Sequence, residues 1–197
     1  MPSPLLYYIR HGETDWNRQG RLQGQRDIPI NAAGRAQARA CAEILRDLLA
    51  REPSAELDYV CSPLSRARQT MEIMRAALGL EPHFYRIDER LREISFGQWE
   101  GFTLDELRKA SPDAVAARER DKWEFTPPAA ESYASMSRRV RGWYESLQRD
   151  TVAVAHGGTL RGLAVQLGIC PADEAPYLDV RQGVVYVIRD AVLGRYS

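Results

Sequence analysis

The chain has no long apolar run. No stretch approaches the roughly 20 consecutive apolar residues that a membrane-spanning helix needs. Arg10 and His11 interrupt the first apolar segment early, and no basic leader precedes it, which argues against a secretory signal. Cysteine is scarce. Cys41, Cys61 and Cys170 are scattered and fit neither a disulfide framework nor a zinc-ligand spacing, so they are read as reduced thiols in a cytoplasmic protein. Net charge is also absent. Lys plus Arg (27) equals Asp plus Glu (27), so no overall field draws the chain to nucleic acid or to a membrane surface. Any anion it binds must be held by arginines placed locally. There is no internal repeat and no low-complexity tract.

What remains is an ordinary globular composition, 44% hydrophobic over 197 residues, which suits a single domain spanning 1–197. Of only three histidines, two stand in the same local setting. Arg10-His11-Gly12-Glu13-Thr14 follows the apolar run 5–9, and His156-Gly157-Gly158 follows the apolar run 151–155. Each run reads as a buried strand, so each histidine sits where a strand gives way to a loop. In open parallel α/β sheets that carboxyl edge is where ligands bind. Arginine holds phosphate through forked hydrogen bonds, imidazole is a nucleophile, and glycine lets backbone N–H groups approach an anion.

Periodicity and punctuation give the remaining elements. Further strands are predicted at 57–61, 83–87 and 183–189, besides 5–9 and 152–155. Asn31 is placed as the N-cap of a long helix through Leu49, with Pro53 beyond it. Ser62-Pro63 is placed as the N-cap and first residue of a helix stopping at Gly79. Short helices follow at 103–109 and 114–123, then a hard break at 126–130 and a helix capped by Ser132. A last helix is expected at 159–167. Strand–helix alternation gives an α/β fold, a three-layer sandwich with a mostly parallel central sheet. Residues 97–131 are expected to form a small helical insertion over the sheet edge, a lid. The run Arg118-Glu119-Arg120-Asp121-Lys122 within it reads as a solvated face, with the alternative that part of it contacts substrate.

Two more segments reach the same edge. Arg66 lies in the first turn of the helix after the 57–61 strand, and Glu93 lies in the segment Leu91 to Gly101 after the next strand. Four strands thus deliver Arg10 and His11, Arg66, Glu93 and His156. Together with Trp16-Asn17, Ser62, Ala67, Thr70 and Phe96-Gly97…Trp99-Glu100-Gly101, this ordered set resembles the histidine phosphatase superfamily, the phosphoglycerate-mutase-like group.

The resemblance implies a phosphohistidine mechanism. His11 is then the nucleophile, kept neutral by the neighbouring arginines. Arg10, Arg66 and His156 surround the phosphoryl oxygens. Glu93 protonates the departing alkoxide and later activates water, and is expected to gain its proton mainly when the phosphate dianion arrives. Asn17, Gln23, Gly24 and Gly157 are the substrate-binding positions. No cofactor is implied, and no Asp/His cluster has metal-ligand spacing, so activity is expected to survive EDTA. His83 and the tryptophans are expected to be structural.

The superfamily contains phosphatases and cofactor-dependent mutases. Mutases usually carry Asn where Gly158 stands, Tyr where Phe96 stands and a lysine after the Gly101-Phe102 pair. These departures favour a phosphomonoesterase acting on a small phosphorylated metabolite. A bisphosphoglycerate-dependent mutase and a non-catalytic phospho-ligand module are the alternatives. A homodimer pairing through the 183–189 strand is possible on the sequence.

Overall fold

The computed structural model describes residues 4–52 and 57–197; Pro53 lies outside the described residues. Six strands form one sheet: β1 (Leu6–Arg10), β2 (Asp58–Cys61), β3 (Arg86–Ile87), β4 (Thr151–Ala155), β5 (Val185–Arg189) and β6 (Val192–Tyr196). Their order is β3-β2-β4-β1-β5-β6. The first four run parallel, and β5 and β6 are antiparallel to their neighbours. The helices are α1 (Asp15–Arg18), α2 (Ala32–Arg51), α3 (Ser65–Ala77), α4 (Leu104–Ala110), α5 (Pro112–Arg120), α6 (Tyr133–Tyr144) and α7 (Gly157–Gln166).

The parallel register explains why the site forms. Arg10 pairs with Ala155 on β4, and Cys61 on β2 pairs with Val154. The chain therefore leaves three adjacent strands at nearly one level, and His11, His156 and Ser62 emerge side by side. Side chains alternate between faces. Tyr7, Ile9, Val152 and Val154 pack under α2 and α3 with Ala38, Leu45, Met71 and Met74. Leu6, Tyr8, Ala153 and Ala155 face α6 and α7 with Met136, Trp143, Leu160 and Leu163. Burial on both faces accounts for the continuous apolar character of β1 and β4. Within residues 97–131, Trp99, Leu107 and Val115 form a separate small core.

Several expectations are corrected. The third strand is only Arg86–Ile87, so His83 is not on a strand; it is exposed, with Nδ1 3.5 Å from Glu72. The sheet edge is not the 183–189 segment. β5 lies between β1 and β6, and β6 supplies the edge. Helix α3 begins at Ser65 after Leu64, so Ser62 is not its cap; its hydroxyl is used elsewhere. Helix α7 begins two residues early, at Gly157, with His156 as the N-cap residue. Asn31 does cap α2, accepting from Gly34 N, and Ser132 caps α6, accepting from Ser135 N.

Candidate active site

The two imidazoles meet. Their ring centroids lie 5.2 Å apart at an interplanar angle of 58°, and both rings are buried. His11 Nδ1 is 2.7 Å from the carbonyl of Gly12. A carbonyl only accepts, so Nδ1 carries the proton and Nε2 carries the lone pair. The Gly12 backbone is itself fixed, because its N–H donates to Thr70 Oγ1 at 2.9 Å and that hydroxyl donates to the carbonyl of Arg66. Gly12 also abuts α2. A Cβ on either Gly12 or Gly34 would collide with the backbone of the other's segment.

His156 is held from both sides. Its Nε2 is 2.7 Å from Ser62 Oγ. Its N–H donates to the Tyr8 hydroxyl at 3.1 Å, and that hydroxyl donates to the His156 carbonyl at 2.8 Å. Thr159 Oγ1 joins the same network. Burial above all, then Arg66 and Arg10, hold His11 well below the ordinary imidazole value. Burial, then Arg66, His11 and Arg10, do the same to His156. Both rings are therefore neutral near pH 7.

The arginines are anchored by their tips. Arg66 is fully buried and donates from Nη1 to Arg26 O and from Nη2 to Gly24 O, each at 2.7 Å. Arg10 Nη1 donates to Val180 O at 2.7 Å. Burial draws Arg66 down to about 10, which leaves it charged at neutral pH. Three buried nitrogens in this cluster have no partner among the described residues: Arg10 Nε, Arg66 Nε and His156 Nδ1. Buried polar groups are normally satisfied, so three unpartnered ones around one imidazole make a cradle suited to an anion.

Glu93 sits against the N-terminus of α7. Its Oε2 accepts from Gly158 N at 3.1 Å and its Oε1 from Ile94 N at 2.9 Å. A side chain at 158 would collide with this carboxylate. Arg139 locks the Glu93 backbone, donating to the carbonyls of Arg90, Arg92 and Glu93 while pairing with Glu131 at 2.9 Å. Glu131 in turn accepts from Ser95 N.

The remaining sequence-predicted positions divide. Gly24 holds Arg66 through its carbonyl. Asn17 Oδ1 accepts from Gln182 Nε2 at 2.9 Å. Gln23 is buried with its Oε1 turned to Thr14 Oγ1, 2.9 Å away, and makes no bond to either histidine. Gly157 opens α7 beside Arg10. Nothing in the sequence singles out Tyr8, Arg139 or Arg161, and Ser62 reads there as a helix cap, not as a partner of His156. Tyr8 reads as one more apolar strand residue, and Arg139 as a surface charge on α6.

No group of three or more His, Cys, Asp or Glu among the described residues is arranged to hold a metal ion. Among the same residues no helix is long and apolar enough to cross a membrane.

Comparison with known proteins agrees with this geometry. The family model for the histidine phosphatase superfamily (branch 1) matches residues 6–191. The chain is 35% identical over 192 residues to the glucosyl-3-phosphoglycerate phosphatase of Mycobacterium tuberculosis, covering 90% of this chain and 81% of that protein. It is 30% identical over 189 residues to a 2,3-bisphosphoglycerate-dependent phosphoglycerate mutase of Mesorhizobium japonicum, covering 92% and 90%. The solved structure of a mycobacterial glucosyl-3-phosphoglycerate phosphatase superposes with a TM-score of 0.77 at 30% identity, covering 93% of this chain and 89% of that one. Paired imidazoles between two arginines, a carboxylate at the next helix N-terminus and a family match over nearly the whole length lead to one assignment: the chain belongs to the histidine phosphatase superfamily, branch 1.

Proposed function

We propose that the protein is a metal-independent phosphomonoesterase, acting on a small phosphorylated metabolite in the cytoplasm through a phosphohistidine on His11. The observation that carries this reading is the facing of His11 and His156 at 5.2 Å, with His156 Nδ1 and two buried arginine nitrogens, Arg10 Nε and Arg66 Nε, unpartnered among the described residues. His11 Nε2 attacks phosphorus in line, and the bond from phosphorus to the alcohol oxygen breaks as the new P–N bond forms. Arg10 and Arg66 hold the equatorial oxygens. His156 Nε2 pairs with the Ser62 hydroxyl; in the tautomer where that hydroxyl is the donor, the Nδ1–H of neutral His156 donates a hydrogen bond to a third oxygen. The Oδ1 of Asn17 is occupied, so its amide nitrogen is the group that meets the phosphate. Glu93 gives its proton to the leaving alkoxide. It then takes one from the water that attacks the phosphohistidine, which releases phosphate and restores His11. Residues 97–131 act as the cover that keeps bulk water out of the first step.

The mutase reading has a relative in its favour but a residue against it. A mutase needs its phosphoenzyme retained, and the position of Gly158 allows no side chain while Glu93 keeps its place. The test is release of phosphate from p-nitrophenyl phosphate in the presence of EDTA. The wild type is expected to turn over, and His11→Ala to lose activity by about 10³-fold or more. Release that persists in His11→Ala would overturn the mechanism. Activity confined to isomerisation of 3-phosphoglycerate would favour the mutase.

A further inference from the structure

Glu93 stands on no regular element. The β3 ladder ends at Ile87, and after a single 3-10 turn at Glu89–Leu91 the chain runs as loop to position 96. Carbonyls with no ladder partner need another donor. Arg139, from the middle of α6, supplies it. Its Nη1 donates to the carbonyls of Arg90 and Arg92, each at 2.7 Å, and its Nη2 to that of Glu93 at 3.1 Å. One guanidinium thus gathers three carbonyls of the acid's own loop. Gln25 Nε2 adds a second donor to the Glu93 carbonyl, also at 3.1 Å.

The rest of the guanidinium belongs to Glu131. Arg139 Nε lies 3.1 Å from Oε1 and Nη2 lies 2.9 Å from Oε2, and the two side chains are only 23% and 25% exposed. Glu131 is the last residue of the 97–131 insertion. It is stitched to the segment beside Glu93: its Oε2 accepts from Ser95 N at 3.0 Å, and its own N–H donates to Ser95 O at 3.2 Å. The carboxylate of Glu93, by contrast, reaches Gly158 N on α7. The loop is therefore slung between two helices. α6 holds its backbone and α7 receives its acid. These helices approach closely at Gly162, where a Cβ would lie 2.9 Å from Met136 Cε and 3.1 Å from Ser137 Cα. With the helices fixed, the reach from Arg139 to Glu93 decides where the acid stands over the phosphoryl cradle.

Building on the phosphatase reading, we propose that the Arg139–Glu131 pair is the positioning element for Glu93. It sets the distance from the acid to the leaving oxygen and takes no part in holding phosphate. When the P–O bond breaks, its electron pair stays on the departing oxygen. That oxygen takes the proton of Glu93 and leaves as the alcohol, and the carboxylate is left negative. A basic leaving group depends on this proton. p-Nitrophenolate is a stable anion and depends on it less than phenolate does.

The test is the ratio of kcat/KM for p-nitrophenyl phosphate to that for phenyl phosphate, two esters of one shape. kcat/KM reports only the steps through phosphohistidine formation, and the ratio cancels any loss of active protein. It also cancels the through-space effect of Arg139 on His156, which both esters meet alike. Arg139→Met is expected to raise the ratio by about tenfold, and Glu131→Gln by about threefold, because a misplaced acid penalises the poorer leaving group. Arg139→Lys is expected to fall between the wild type and Arg139→Met. Glu93→Gln sets the ceiling, and adding Arg139→Met to it is expected to change the ratio no further, since residues acting through one another are not additive. A ratio unchanged in both Arg139→Met and Glu131→Gln, or a full further rise in the double variant, would overturn the positioning role and leave the phosphatase reading intact. A ratio unmoved by Glu93→Gln would remove the acid that the pair positions, and the proposal with it. Phosphate release from neither ester by the wild type would contradict the phosphatase reading itself.

Discussion

A side chain at position 158 has little space except the one the Glu93 carboxylate occupies. The carboxylate ends a flexible side chain, so a methyl group there displaces it rather than the backbone. Gly158→Ala is therefore expected to lower kcat by about 10²-fold, the usual worth of a general acid, while the melting temperature stays close to that of the wild type. A large loss of stability with activity retained would contradict the placement of Glu93. The histidines make a second prediction. Both are held below the ordinary imidazole value, first by burial and then by the arginines. In the unfolded chain they titrate at about 6.5. Below that pH the unfolded state binds protons the folded state refuses. Stability is thus full above about pH 6.5 and falls as pH drops, by up to about 1.4 kcal/mol per pH unit for each ring. Denaturation midpoints should decline less steeply toward acid in His156→Gln than in the wild type; parallel declines would contradict the reading. Arg10, His11, Arg66 and His156 were legible in sequence because each stands at or soon after the end of an apolar strand, whereas Glu93 stands in the loop after a strand of only two residues. Ser62, Tyr8 and Arg139 gain their roles from partners far along the chain, Ser62 from a histidine 94 residues away, and no local pattern announces such a pairing.

Elements show where local chemistry and packing disagree. Gly34 lies in the first turn of α2, where alanine is the better helix former by about 1 kcal/mol. Its Cβ would strike the backbone of Glu13, and overpacking of this kind costs about 1–3 kcal/mol. Gly34→Ala is expected to be destabilised despite its propensity, as urea titration would report; a gain in stability would mean that α2 does not press on the loop after His11. The opposite case is Ala129, a non-glycine residue with φ +57°. The left-handed region costs an L residue about 1–2 kcal/mol. The neighbouring contact with Gly97, whose Cβ would collide with the Pro128 and Ala129 carbonyls, fixes this turn. Ala129→Gly is expected to raise stability by about 1 kcal/mol, the strain relieved less the added chain entropy. β6 is not legible in the sequence because Gly194 and Arg195 interrupt its alternation, and it, not the 183–189 strand, supplies the edge of the sheet. The Ser62 cap failed for a related reason. Pro63 and Leu64 extend the chain before α3 begins, which frees the hydroxyl for His156.

Across the whole molecule, the site is a consequence of register. Three parallel strands end at one level, and residues 10–11, 62–66 and 156–158 are consecutive with those ends. The α/β class and most of the helices were readable from apolar periodicity. The antiparallel β5–β6 pair was not, because sequence alternation does not specify strand direction. Nor was the inward turn of Arg118, which is buried, and of Lys122, whose amine lies 3.3 Å from the Pro176 carbonyl, since a charge run reads as solvated until its neighbours are known. The proposed mechanism requires His11 to carry the transferred phosphoryl group. Wild-type protein mixed with radiolabelled phosphomonoester, quenched in alkali within a single turnover and digested, tests this most directly. An alkali-stable, acid-labile label on the peptide containing His11 is the predicted result. Phosphate release with no such label, or with the label on another residue, would contradict it.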